Sequence, residues 1–363
     1  MKKSLIALAA LAAVTAASAQ STVTVSGALV LAVGKTKTDT TSTGAQINRQ
    51  TGNLAFKGTE DLGGGLKANF ELQTAIGAAA NTSINVAGGA LAATTLGDRG
   101  AYANVQGDFG TVQVGRAASA VRALFGAIGD VSRMSVTNSN GLSAGNSTSS
   151  SNAKGGDANA FVIYGDAYSN YAAYTSPTVN GFSAAVALVP VDGSTTATKD
   201  TMSYTVSYAA GPLTVAYNLT DSKQTSAGQA IVSNDAGVAD KGYIAAVGAY
   251  KMNTLLASYD LGVAKLGFTH QTISLATGVN PGNATAITAN VPFGASSIGL
   301  GYGTRSNTGV TDLQFGDGVK QAFVGYRYDL SKRTNVQAVY AKINRQGTAA
   351  DVKQTHLLLG HSF

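Results

Sequence analysis

The segment Leu66-Lys-Ala-Asn-Phe-Glu-Leu-Gln73 alternates without a break: Leu66, Ala68, Phe70 and Leu72 share one side, and Lys67, Asn69, Glu71 and Gln73 the other. A period of two is the repeat of an extended chain whose side chains leave the pleat on opposite faces. The segment therefore reads as a β-strand with unlike surroundings on its two sides. Such a strand suits a soluble sandwich, with its apolar face inward, as well as a membrane barrel, with its apolar face to lipid. The wider pattern decides between them. Sixteen strand segments are read along the chain, from 22–33 to 353–363, among them 48–58, 98–107, 110–116 and 261–270. Compact connections such as Asp61-Leu-Gly-Gly-Gly65, Gly107-Asp-Phe-Gly110, Ala210-Gly-Pro212 and Tyr328-Asp-Leu-Ser-Lys-Arg333 alternate with long polar ones. The long ones include Thr36 to Asn48, Ala75 to Gly97, Ala117 to Asp166 and Asp221 to Gly242. An even strand count with short turns at one rim and long loops at the other marks an outer-membrane barrel, and closure removes the open edges of a sheet. The expected fold is all-β: a 16-stranded antiparallel transmembrane β-barrel with short periplasmic turns and long extracellular loops.

The ends and the composition point the same way. Lys2 and Lys3, an apolar run from Leu5 to Val14 and the small residues Ala17-Ser-Ala19 have the layout of an export signal. Residues 1–19 are expected to be removed and 20–363 to form one barrel. No later stretch is apolar for long enough to cross lipid as a helix, which leaves a closed sheet as the means of spanning. Charged residues make up only 12% of the chain, with 44 Gly, 15 Tyr and neither Cys nor Trp. That balance argues against a helical protein and against a charged, disordered one. Loss of Lys2 and Lys3 with the signal lowers the formal net charge from +6 to +4, and no dense basic tract suits nucleic acid.

Other chemistries find no support. His270, His356 and His361 lack zinc-ligand spacing, and the aspartates do not form a calcium-loop pattern. Gly63-Gly64-Gly65 lacks the Lys-Ser/Thr ending of a phosphate loop. No nucleophile, base and orienting group can be matched by spacing. The chain is expected to be no enzyme, with no catalytic residue, no cofactor and no metal.

A set of motifs, in order along the chain, resembles the general-diffusion porins of beta-proteobacteria and Neisseria. They are Thr22-Val-Thr-Val-Ser-Gly27, Phe56-Lys-Gly-Thr-Glu-Asp-Leu-Gly-Gly-Gly-Leu-Lys67, Arg99-Gly-Ala-Tyr102, Gly107-Asp-Phe-Gly-Thr-Val-Gln-Val-Gly-Arg116 and Tyr174-Thr-Ser-Pro177. Ser258-Tyr-Asp-Leu-Gly262, Tyr328-Asp-Leu-Ser-Lys-Arg-Thr-Asn335 and the ending Leu359-Gly-His-Ser-Phe363 complete the set. The resemblance implies a Gram-negative outer-membrane location and a homotrimer with one pore per protomer. It also implies a third loop, Ala117 to Asp166 here, folded inward to narrow the channel. A last strand ending in Phe363 resembles the feature by which the outer-membrane assembly machinery recognises this family. Lipopolysaccharide is the expected partner at the outer leaflet.

A porin acts through a water-filled path, a constriction and fixed charge, and its solutes are small and hydrophilic. Arg99 and Arg116 are the first candidates for the positive side of the constriction, on the family's pattern. Strict alternation sets both in phase with apolar neighbours, so a bulge or strand end would have to re-aim them. Arg122, Asp130, Arg133 and Asp157 in the long loop are further constriction candidates. Arg49, Lys57, Lys67, Glu71 and Arg327 are candidates for lining the rest of the pore. The family often carries an arginine where Asn53 stands here, which weakens any full arginine ladder. The expectation is passive diffusion of solutes and ions with a mild anion preference; a substrate-selective organic-anion porin and a surface adhesin or structural barrel are the alternatives.

Overall fold

The alternation of residues 66–73 persists around the molecule and closes on itself. The computed structural model describes residues 22–39, 42, 44–76, 96–97, 99–134, 160–161, 168–190, 200–223, 233–235, 238–240, 249–275, 282–306, 318–345 and 351–363. In chain order the strands of the first half are β1 (Thr22–Thr38), β2 (Gln46–Gly63), β3 (Leu66–Ala75), β4 (Gly100–Gly107), β5 (Gly110–Ala118), β6 (Tyr168–Thr175), β7 (Phe182–Val189), β8 (Thr201–Ala210) and β9 (Leu213–Ser222). After the small hairpin of β10 (Ser233–Asp235) and β11 (Val238–Asp240) come β12 (Tyr250–Asp260), β13 (Lys265–Leu275), β14 (Asn283–Phe293), β15 (Ser296–Arg305), β16 (Val319–Asp329), β17 (Thr334–Arg345) and β18 (Val352–Ser362). All but β10 and β11 form one closed antiparallel barrel in which each strand pairs with its sequence neighbours and β1 pairs with β18. The sixteen segments read from sequence correspond one to one with these barrel strands.

Closure is completed at the terminus. The backbones of Gly27 and Phe363 exchange two hydrogen bonds, each 3.0 Å, so the last residue extends the β1–β18 seam. The two faces of the wall are chemically distinct. In β16, Gln321, Phe323 and Gly325 are buried on the inner face, while Ala322, Val324 and Tyr326 are exposed on the outer one. Apolar side chains such as Val114, Val206, Ile287 and Leu357 are more than half exposed. A surface of that kind suits hydrocarbon, and the backbone groups behind it are satisfied strand to strand. Near the short turns the outer face carries Phe109, Tyr174, Phe182, Tyr259, Phe293, Tyr328 and Phe363, all exposed. They form an aromatic belt of the kind that sits at a membrane–water boundary.

Turn chemistry accounts for the largest difference at a strand start from the sequence reading. The strand expected at 261–270 runs instead from Lys265 to Leu275. Asp260 Oδ1 accepts from the Gly262 amide at 2.8 Å and Leu261 N–H reaches the Ala264 carbonyl at 2.8 Å, so the chain turns through 261–264 before the strand begins. Asp61 closes the β2–β3 turn in the same way, accepting from Gly63 N–H at 2.9 Å. Several strands also outrun their expected lengths; β1 has 17 residues and β2 has 18.

Candidate functional site

The segment that follows β5 does not stay at the rim. Ser119 caps a short helix α1 (Ala120–Leu124), its Oγ accepting from Arg122 N–H at 3.3 Å, and a π-helical turn, Phe125–Gly129, follows directly. The turn ends where Asp130 N–H bonds back to the Phe125 carbonyl at 2.7 Å. Such single π turns are rare and concentrate at functional places. The segment then runs against the inner face of β14, β15 and β16. Thr288, at the middle of β14, donates its hydroxyl to the Gly129 carbonyl at 2.8 Å and accepts from Val131 N–H at 3.2 Å. One wall side chain thus holds two main-chain groups of the strut. At Gly299 a Cβ would lie 2.5 Å from the Ser132 carbonyl oxygen and 2.5 Å from Met134 Cγ, so the wall there must be bare for the strut to lie on it. Beneath the strut, Phe125, Ile128 and Met134 join Leu256, Ala286, Phe323 and Val339 in a buried apolar cluster.

The descent ends at an ionic contact. Arg133, at φ 61°, sends Nη2 to Asp329 Oδ2 at 2.9 Å, and Arg327 Nε donates to Asp329 Oδ1 at 2.7 Å. Arg327 Nη1 also reaches the Arg133 carbonyl at 3.4 Å. Asp329 is the last residue of β16, beside a short turn, whereas Ala118 ends β5 at the opposite rim. Residues 119–134 therefore descend from the rim of the long connections past the middle of the wall, where Ser132 and Met134 lie against Gly299, and the Arg133 side chain reaches the end of β16. Further along, Ala160 N–H donates to Gln321 Oε1 at 3.3 Å, and the rings of Phe161 and Phe323 meet at 5.6 Å. That second anchor lies back toward the rim of the long connections.

Asp130 is turned into the strut. Its Oδ1 accepts from Ser132 N–H at 3.0 Å and from Ser132 Oγ at 2.7 Å, while Ser132 Oγ accepts from Met134 N–H at 3.2 Å. Burial pushes its carboxyl up to about 6, against the lowering effect of the Ser132 donors.

The remaining sequence candidates fall at different levels. Arg99 is buried and lies just before β4; its N–H bonds to the Gln73 carbonyl at 3.1 Å. The strand expected from 98 begins at Gly100, so Arg99 is freed from the alternation that set it in phase with Ala101. Arg116, half-buried, pairs in register with Ala101 and follows Gly115, whose φ is 130°. Arg99, Arg116 and Arg122 thus share the rim of the long connections. Lys57 and Glu71 pair across β2 and β3 on the inner face, and Lys67 is exposed one pair from the short turn. Arg49 lies in β2 opposite Leu31, next to the register shift between Val30 and Leu31. Asp157 lies outside the described residues.

Sequence reasoning missed Thr288, Asp329 and Tyr102. Tyr102 carried a usable signal, since it alternates with Ala101 and shares the polar face of Asn104 and Gln106. Thr288 had none, because its part depends on a loop more than 150 residues away in the chain. Among the described residues no group of His, Cys, Asp and Glu could hold a metal ion.

Residues 7–348 match the family model described as Gram-negative porin. Outer membrane porin protein 32 of Delftia acidovorans is 30% identical over 358 residues, covering 92% of this chain and 87% of that protein. Major outer membrane protein P.IA of Neisseria meningitidis serogroup C is 41% identical over 66 residues, 18% of this chain and 14% of that protein. Among solved structures, the anion-selective porin from Comamonas acidovorans superposes with a TM-score of 0.66 at 23% identity, over 95% of this chain and all of that one.

Proposed function

The chain belongs to the Gram-negative porin family of passive outer-membrane channels, and from that premise we propose that its lumen is a constricted, mildly anion-favouring path for small hydrophilic solutes and ions. The observation that carries this reading is the strut of residues 119–134, which occupies the inner wall and brings Arg122 to one level and Arg133 to another. Arg99 and Arg116 lie near the first level and Arg327 beside the second, and among the described residues the acids at the second level are themselves engaged. Asp130 is held inside the strut and Asp329 is shared by two guanidiniums. Fixed positive charge in a narrow aqueous path raises the local anion population without a binding step, and transport follows the solute gradient. The description of the Comamonas acidovorans structure as anion-selective supports the sign.

On this reading the long connection after β5 is the inward third loop, the short turns face the periplasm and the long loops face outward. The mature protein is a homotrimer assembled after removal of residues 1–19, with lipopolysaccharide around its outer half. Purified protein in a planar bilayer under a KCl gradient tests the proposal. The reversal potential should favour chloride, with ohmic conductance. A potassium-favouring reversal potential overturns the anion preference, and failure to form reproducible pores overturns the channel reading in favour of an adhesin or structural barrel. Saturable block by an organic anion would instead identify a substrate-selective channel.

A further inference from the structure

On the wall across from the strut, three side chains from three neighbouring strands meet at one oxygen. Lys57 Nζ lies 3.1 Å from Glu71 Oε2, and Tyr102 Oη donates to that same oxygen at 2.9 Å. The three residues are successive register partners across β2, β3 and β4, so the backbone ladder fixes their level. Their exposures differ sharply: the Lys57 side chain is 53% exposed and that of Glu71 only 13%. The carboxylate is laid against the wall, while the ammonium faces the lumen. The wall just below is neutral and bonded to itself, with Thr59 Oγ donating to Asn69 at 2.9 Å and Asn69 Nδ2 to Asn104 at 2.8 Å.

We infer that this Lys57–Glu71–Tyr102 clamp sets part of the ion selectivity of the lumen. Lys57 is the group that passing ions meet. Glu71 is a positioning residue: it holds Lys57 on the wall while its own charge is compensated by the ammonium and its Oε2 is held by the phenol. The inference rests on the lumen being the conducting path. It makes the effects of the two charged partners opposite in sign. A unit charge about 6 Å from an ion in water changes its local population roughly threefold, and screening at 0.1 M salt reduces this to roughly twofold.

The test is the chloride-to-potassium permeability ratio, from reversal potentials of purified wild type and variants in planar bilayers. Lys57→Met leaves the carboxylate uncompensated and should move the ratio toward potassium by roughly fourfold at 0.1 M salt, because the chloride population falls and the potassium population rises by about twofold each. Glu71→Gln leaves the ammonium uncompensated, keeps an acceptor for Tyr102, and should move it toward chloride by a similar factor. Lys57→Arg and the double variant Lys57→Met/Glu71→Gln should both stay near wild type. Both single shifts should shrink at 1 M salt, which a merely structural role would not produce. Heat-modifiable migration on a gel establishes that each barrel is folded, and Lys57→Gln carries the same expectation should the methionine variant not fold. Folded single variants that shift in the same direction, or not at all, overturn the inference while leaving the channel reading intact. A wild-type protein that forms no pores overturns the channel reading, and the inference with it.

Discussion

Thr288→Val is the sharpest probe of the strut. Valine has nearly the shape of threonine and suits a strand, so the main-chain ladder of β14 with β13 and β15 should survive. What disappears is the hydroxyl that donates to the Gly129 carbonyl at 2.8 Å and accepts from Val131 N–H at 3.2 Å. Thr288, Gly129 and Val131 are all buried, so in the docked state the two main-chain groups lose their partner without gaining water. Each buried unsatisfied group costs about 1–3 kcal/mol, which sets about 2–6 kcal/mol against docking. At about 1.36 kcal/mol per factor of ten, the docking equilibrium should fall by roughly 30-fold to 25,000-fold. The apolar cluster under Phe125, Ile128 and Met134 still favours docking, so the strut should leave the wall intermittently rather than permanently. Single-channel recordings should show excursions above the main conductance level that the wild type lacks. Amide exchange across residues 119–134 should quicken at least roughly tenfold, while exchange in the barrel ladder stays unchanged. Thr288→Ser, which keeps the hydroxyl, should behave as wild type. A valine variant with wild-type conductance noise and wild-type exchange would refute the reasoning.

Three further outcomes are expected. Gly299→Ala sets a methyl group 2.5 Å from the Ser132 carbonyl oxygen, so it should raise mean conductance by lifting the strut, with the barrel's gel migration unaltered; unchanged conductance would count against the bedding of the strut on the wall. Asp130 has its carboxyl raised to about 6 when docked, so the undocked strut binds fewer protons between about pH 4 and 6. Docking should therefore be tightest below that window and weaken as the pH rises through about 6. Exchange of residues 119–134, corrected for intrinsic chemistry, should follow this course, and Asp130→Asn should flatten it. Deleting Phe363 removes two seam hydrogen bonds to Gly27 and should lower the yield of heat-modifiable barrel in the outer membrane; a full yield would remove Phe363 from assembly.

The barrel was legible in the sequence because its determinants are local. The period of two in residues 66–73 and the turn chemistry at Asp61-Leu-Gly-Gly-Gly65 each need only a few neighbouring residues. Where the turn signal was spread out, as at Leu261-Gly-Val-Ala264, the strand start was read four residues early. The site was less legible for the opposite reason. Lys57 and Glu71 could be placed on the water-facing side by alternation, but their meeting with Tyr102 requires the register of three strands. Arg133 could be named as a charge in a long loop; its partner Asp329 lies 196 residues away and depends on the whole path of the strut.

That path has a consequence for how solutes are sorted. A strut that lies along one arc of the wall leaves beside it, among the described residues, a crescent of cross-section rather than a disc. Passage through a crescent is limited by the thickness of a molecule rather than by its volume. Of two solutes of equal mass, the flat one should pass beside residues 119–134 faster than the round one.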